Sequence, residues 1–452
     1  MNFTFDIQNL GNIQNASIDI NPFTIIAGEN SSGKSFVTKS LYSILDALNN
    51  DYVQMEVIKN IHKFRKNLDD FSDTFSSNSI AKVDEDFLEL FYTGHILFFD
   101  HFFEIKTEFK DTFIKDLKSI QNDIVEYKDR RSSLVKFQNK LEYLKNMINI
   151  IDEIVNIIEN KRDIIIEGIE SNLNDNFKKN YQITSFDSIV NSNKKTTSLK
   201  LNMDTIGQVS IDKNSLIDFE FSADGVDEIQ KLNNIIYLDS PVYIKLRQAL
   251  EKNSFLNPFL SKQDRYLKNY PLYIDNLYKF IDKQYIDESD FKSLSDEIQN
   301  LINGNLEVSK SGVIEYKQDN GTIVPLSLTA MGISNLGLIE LLLKNNIINK
   351  GSFLIIDEPE AHLHPKWQVE LVNILYKISK AGANVIIATH SIDMIKAVEV
   401  ILNKEEDANE LIALNKMPFE KEFKIMSNSE KIETILDDLS SPFYNLYMEN
   451  II

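Results

Sequence analysis

Gly28-Glu29-Asn30-Ser31-Ser32-Gly33-Lys34-Ser35 sets two glycines, a lysine and a hydroxyl at the spacing G-x-x-x-x-G-K-[ST]. That spacing is suited to holding phosphate. The glycines let successive backbone N–H groups close around an anion, and a helix starting there adds partial positive charge. Lys34 is then placed to reach β- and γ-phosphates, and Ser35 to ligate Mg²⁺. Gly28, Asn30, Ser31, Ser32, Gly33, Lys34, Ser35 and Phe36 form the candidate nucleotide-binding set.

A second group stands far along the chain. Ser352 to Ile356 is an apolar run ending in Asp357-Glu358-Pro359, the Walker B pattern with a following glutamate. Where a strand ends, its last carboxylates can turn to different tasks. Asp357 is expected to hold the metal, and Glu358 to polarise the attacking water as general base. Asn384 to Thr389 is another apolar run, capped by His390-Ser391. A histidine at a strand's carboxyl end lies where ligands of open α/β sheets gather, so His390 is a candidate γ-phosphate sensor. Glu358, His390 and Lys34 are the candidate catalytic residues; Ser35 and Asp357 are the candidate metal ligands. His362 and His364 are too close together for the usual helical zinc pair, four residues apart, and are not read as a metal site.

These residues need strands and helices to place them. Phe23 to Ala27 reads as a buried strand ahead of the loop, and Phe36 to Leu48 as a helix with Val37, Leu41, Ile44, Leu45 and Leu48 on its apolar side. Residues 3–20 alternate as a hairpin turned at Gly11-Asn12. Residues 51–180 hold no proline. There Leu134, Leu141, Ile148 and Val155 recur every seven residues, as do Phe137, Leu144, Ile151 and Ile158. This predicts a helical hairpin or small bundle, and is equally compatible with one amphipathic helix on a globular core. Thr197 to Leu201, Val209 to Ile211, Ile217 to Phe221 and Ile235 to Leu238 read as strands, residues 242–303 as helical, and Leu306 to Val324 as a hairpin turned at Asp319-Asn320-Gly321. Pro365 opens a helix that Gly382 ends.

Composition narrows the class. Over 452 residues the net charge is −20, which argues against a uniformly basic nucleic-acid binder but not against a local basic groove. The absence of cysteine excludes disulfides, thiolate metal sites and cysteine nucleophiles. No signal peptide or membrane-length apolar run is found, so a soluble, cytoplasmic protein with no membrane partner is expected.

The run Asp357-Glu358-Pro359-Glu360-Ala361-His362-Leu363-His364-Pro365, with Thr389-His390-Ser391 beyond it and the phosphate loop before it, resembles the ABC-type ATPase head. Specifically it resembles the SMC/RecF/OLD-like branch of the AAA-annotated ATPases. The resemblance covers roughly residues 1–50 and 300–400. It implies an α/β P-loop NTPase with ATP and Mg²⁺ as ligands, and four regions: the head's first part (1–50), a helical, short coiled-coil insertion (51–181), a β and helical middle region (182–303), and the head's second part (304–452).

It also implies an ATP-sandwiched homodimer or higher oligomer, in which a signature segment of one head completes the other's site. Ser327 to Ser334 is the candidate segment, with Gly332 acting across the dimer. Ala330, Met331 and Ile333 depart from the family pattern, leaving Ser327, Thr329 or Ser334 to supply a hydroxyl. Stand-alone heads of this kind resemble the ATPase subunits of Septu- and PARIS-like phage-defence systems. The expected function is therefore an ATPase that senses a trigger, such as a phage component, and controls a separate effector, a nuclease or toxin. One alternative is a RecF- or SMC-like DNA-repair ATPase, using basic residues such as Lys59, Lys63, Lys128 and Arg130. The other is an ATP-bound scaffold that hardly hydrolyses.

Overall fold

A computed structural model describes residues 1–76, 110–133, 135–190, 198–212, 216–247, 270–283, 291–309 and 312–449. Thirteen strands are described, β1 Phe3–Leu10, β2 Ile13–Ile20, β3 Phe23–Gly28, β4 Ser198–Met203, β5 Gly207–Asp212, β6 Ile217–Phe221, β7 Ile235–Leu238, β8 Gly304–Val308, β9 Ile314–Gln318, β10 Ile323–Pro325, β11 Phe353–Asp357, β12 Asn384–Thr389 and β13 Ile412–Met417. The helices longer than ten residues are α1 Lys34–Leu48, α2 Tyr52–Ser76, α3 Lys110–Arg131, α4 Leu141–Glu159, α5 Lys161–Tyr181, α6 Leu272–Asp282, α7 Lys292–Ile302, α8 Met331–Lys344, α9 Pro365–Lys380, α10 Ile392–Lys404 and α11 Asn428–Glu449. The expected Leu134 and Thr197, and parts of the expected helical regions, lie outside the described residues.

The chain divides into two compact units, Met1–Asn49 with Glu170–Ile452, and Asn50–Ile169. The first is built on a five-stranded sheet of order β13-β3-β12-β11-β7, parallel throughout. Strands covered on both faces read as continuous apolar runs, and every residue of β3, β11 and β12 is buried. Phe23, Ile25, Leu354, Ile356, Val385, Ile387, Ile412 and Leu414 join one large core with residues of α8, α9 and α10. α1 packs against β3, β7, β11 and β12.

A second sheet, β2-β1-β4-β5-β6, is antiparallel and shows the buried–exposed alternation that a one-sided sheet requires. Residues 198–221, expected within a middle region, thus extend the sheet begun by the N-terminal hairpin, through Phe5↔Met203 and Ile7↔Leu201. Residues 304–325 form a three-stranded meander, β10-β9-β8, rather than a single hairpin. The turn at Asp319–Gly321 joins only the last two strands; an earlier turn is closed by Ser309 N–H donating to Val313 O at 2.8 Å.

In the helical unit α4 packs on both α2 and α3. The aromatic rings of Phe71, Tyr127, Phe137 and Tyr143 meet in its core. Leu144, Ile151 and Ile158 are buried as their heptad spacing suggests, but so are Met147, Ile154 and Ile157. A helix with two neighbours needs a wider apolar face than a two-stranded seam. Phe137 falls in a separate 3₁₀ turn, Val135–Lys140.

Candidate functional site at the carboxyl edge of the parallel sheet

β3, β11 and β12 all end at one edge of the parallel sheet: Asp357 is level with Ala388 and Ile26, and Thr389 with Ala27, so Asp357, Thr389 and Gly28 stand at successive levels across three neighbouring strands. The phosphate loop leaves β3 through Gly28 (φ 155°), passes Ser31 (φ 66°) and enters α1 at Gly33 (φ 103°). A Cβ on Gly28 would stand 2.1 Å from Met417 O of β13, so only glycine fits there. Lys34 Nζ folds back on the loop, donating to Gly28 O at 2.8 Å and Glu29 O at 2.9 Å. Burial pulls its ammonium below the usual lysine range, against the opposing charges of Asp357, Glu358 and Glu360.

Asp357 is 5% exposed. Burial raises its carboxyl above the ordinary range, Ser35 and Tyr237 pull it back, and Asp239 adds to the rise. Tyr237 O–H donates to Asp357 Oδ2 at 3.1 Å and lies 3.2 Å from Thr38 Oγ1 on α1. Asp357 Oδ1 is enclosed and has no hydrogen-bond partner. Magnesium at phosphate sites takes one or two protein ligands and completes its shell from phosphate and water. An enclosed carboxylate oxygen without a partner, a nearby Ser35 hydroxyl and a glycine-built cradle fit that demand.

Glu358 has left the strand. Its backbone is left-handed (φ 53°), while its N–H still reaches Ala388 O at 2.9 Å. The turn separates its side chain, half exposed, from buried Asp357. His390 Nδ1 lies 3.9 Å from Glu358 Oε1 and 3.2 Å from Glu360 Oε1. Glu360 is buried; its Oε1 accepts the Thr389 hydroxyl at 2.7 Å and the His390 backbone N–H at 2.8 Å. His364 instead caps α9, its Nδ1 accepting from Lys366 N–H at 3.2 Å.

The sheet thus gathers the phosphate loop, Asp357, Glu358 and His390 at one edge. Gly332 sits elsewhere, in the first turn of α8, and its nearest neighbours are Leu363, His362 O and Trp367. Of the three hydroxyls considered beside it, Ser334 donates to Ala330 O and Thr329 to Pro325 O, both from buried positions. Ser327 is exposed, next to Leu328, which is 77% exposed.

Three residues at this edge were not singled out from the sequence: Glu360, Tyr237 and Asp239. Tyr237 and Asp239 had a signal. The run Ile235 to Leu238 reads as a buried strand, and its parallel pairing, Ile356↔Leu238, carries Asp239 to the level of Asp357. Tyr273 O–H holds Asp239 Oδ2 at 2.8 Å.

Solved structures with a similar backbone include an SMC head bound to the C-winged helix domain of ScpA, 10% identical, covering 87% of this chain and 90% of its own, with a TM-score of 0.40. Others are the SMC head domain from Thermotoga maritima (10% identical; 88% and 92% covered; TM-score 0.34) and the Pyrococcus furiosus Smc head domain with an extended coiled coil, bound to the C-terminal domain of ScpA (11% identical; 87% and 90% covered; TM-score 0.29). No curated protein matches the chain. The family model of the AAA ATPase domain matches residues 3–395. With its phosphate loop and parallel sheet the fold is that of an α/β P-loop NTPase, and the chain belongs to the AAA ATPase domain family.

Proposed function

We propose that this protein binds ATP with Mg²⁺ and hydrolyses it, and that two heads close on the nucleotide. The observation that carries the reading is the separation of the two adjacent carboxylates: Asp357 buried with a free oxygen, Glu358 turned out by its left-handed backbone beside His390. The loop N–H groups and Lys34 would hold the phosphates, and Ser35 and Asp357 the metal, which supplies charge neutralisation when bound. Glu358 orients and deprotonates water. His390 reads whether the γ-phosphate is present. Ser327 and Leu328, both exposed, offer the face for the second head ahead of Gly332, which is itself buried in the first turn of α8.

The output passes to a separate effector, a nuclease or toxin, in antiviral defence; the likeness in size and layout, an ATPase head with a short helical insertion, to the ATPase subunits of phage-defence systems supports this part. The DNA-repair alternative gains little from the basic stretches. Lys59 pairs with Glu56, Lys63 with Glu153 and Arg130 with Glu126, so these cations are matched by their own neighbours.

The test is the solution mass and hydrolysis rate of Glu358→Gln against wild type, each with and without ATP and Mg²⁺. Glu358→Gln should be trapped as a dimer by ATP and lose hydrolysis by about 10²–10⁴-fold. Unchanged hydrolysis in Glu358→Gln would remove the assigned base. A monomer in every condition would remove the two-head closure.

A further inference from the structure

Two enclosed polar atoms beside the site have no hydrogen-bond partner, and they belong to neighbouring side chains: His390 Nδ1 and Glu360 Oε2. Buried polar groups in folded proteins are almost always paired, so two orphans within reach of each other mark a bond poised to form. Nδ1 is 3.2 Å from the other oxygen of the same carboxylate, Oε1. That oxygen is already committed. It accepts the Thr389 hydroxyl and the His390 main-chain N–H, which pins the carboxylate to the end of β12. A small rotation of the His390 ring gives Nδ1 an acceptor on this carboxylate and leaves both of those bonds in place.

The surroundings hold this arrangement in place. Glu360 lies on the turn that follows Glu358, and Leu363 N–H closes that turn onto Glu360 O at 3.0 Å. A second link joins the same two loops: Ser391 Oγ donates to Gln368 Oε1 at 2.6 Å, and Gln368 Nε2 to Leu363 O at 3.0 Å. The His390 side chain is 40% exposed although its Nδ1 is enclosed, so the open edge of the ring carries Nε2.

We propose that Glu360 is the positioning residue of His390. Its carboxylate accepts the Nδ1 proton, fixes the ring, and leaves Nε2 as the atom presented to the γ-phosphate. The partner on one imidazole nitrogen decides what the other can do. Here the partner is anionic and buried, so it also supplies the countercharge for a ring that carries protons on both nitrogens when it donates from Nε2 to phosphate. The same carboxylate ties the loop bearing Glu358 to the strand end bearing His390, so the base and the sensor move together. This rests on the ATPase reading above for its kinetic consequence, but not for the pairing itself.

The test uses full-length protein labelled with ¹⁵N-histidine, with the His390 signals identified by their loss in His390→Gln. In nucleotide-free wild type, Nδ1 of His390 should resonate as a protonated nitrogen. In Glu360→Gln, which keeps an acceptor oxygen for Thr389 and the His390 N–H, the proton should shift to Nε2, and kcat for ATP should fall about ten- to a hundred-fold with KM nearly unchanged. A purely structural staple would leave the tautomer as it is in Glu360→Gln, and that result overturns the proposal. So does an unprotonated Nδ1 in wild type, a readout that does not depend on Glu360→Gln. If wild type shows no hydrolysis, the ATPase reading fails while the nitrogen signals still decide the pairing.

Discussion

At Gly28 the phosphate loop turns under the main chain of the last strand, with no room for a single added carbon. Gly28→Ala should therefore deform the loop rather than only strain it. We expect at least about 1–3 kcal/mol of lost stability from the backbone conformation and abolished ATP binding, checked by urea unfolding and by titration with a fluorescent nucleotide. Lys34→Ala removes a side chain that donates to two loop carbonyls, Gly28 O and Glu29 O. It should abolish nucleotide binding; retained tight binding would count against the phosphate-loop assignment. The placement of the loop, Asp357, Glu358 and His390 at strand ends was legible in the sequence because each directly follows or closes a contiguous apolar run. Glu360 was not. It reads as one more acid in a run of acids, and only folding brings it to Thr389, 29 positions away. The hydroxyls of Thr389 and Tyr237 were hidden for the same reason: their partners are distant in the chain.

The helix that follows the loop is held from several sides, and that is where the element scale becomes informative. Tyr181 stacks on Phe36 with ring centroids 5.6 Å apart and donates to Phe36 O at 2.7 Å. Further along α1, Asn176 and Asn276 each donate to Asp46 at 3.0 Å. Burial is the largest influence on Asp46 and lifts its carboxyl from 3.8 to about 6, despite those bonds. The sign follows directly. The folded form binds this proton more tightly than the unfolded chain, so the contribution of Asp46 is greatest below about pH 4 and is lost as pH rises through about 6. At about 1.4 kcal/mol per pH unit the loss is about 3 kcal/mol. Urea unfolding of wild type from pH 4 to 7 should show that decline, and Asp46→Asn should flatten it. Tyr237→Phe removes the hydroxyl between α1 and Asp357. It should weaken Mg²⁺-dependent ATP binding about tenfold, read by calorimetry with and without the metal. Strand existence was legible from apolar runs, yet sheet membership was not: alternation in Val209 to Ile211 tells that one face is covered, not that β1 lies two strands away.

For the molecule as a whole, the division into two compact units gives separate cores and separate vulnerabilities. Phe71 is fully buried among Tyr127, Phe137 and Tyr143 in the helical unit. Phe71→Ala should cost about 3–5 kcal/mol, and hydrogen exchange should rise over α2, α3 and α4 while β3, β11 and β12 keep their protection.

The parallel sheet carries one more consequence, in the order of synthesis. β3 is made well before both strands that flank it, β12 and β13, which pair with it through Ile387↔Ile25 and Leu414↔Ile25. A ribosome adding about 5–20 residues per second needs on the order of 20–80 s to travel from one to the other. Throughout that interval the nascent phosphate loop has neither its roof at Met417 nor its neighbour at Thr389, and the apolar edges of β3 stand open. The nascent chain therefore completes the walls of its phosphate loop only once β12 and β13 have followed, and until then the edges of β3 are unpaired.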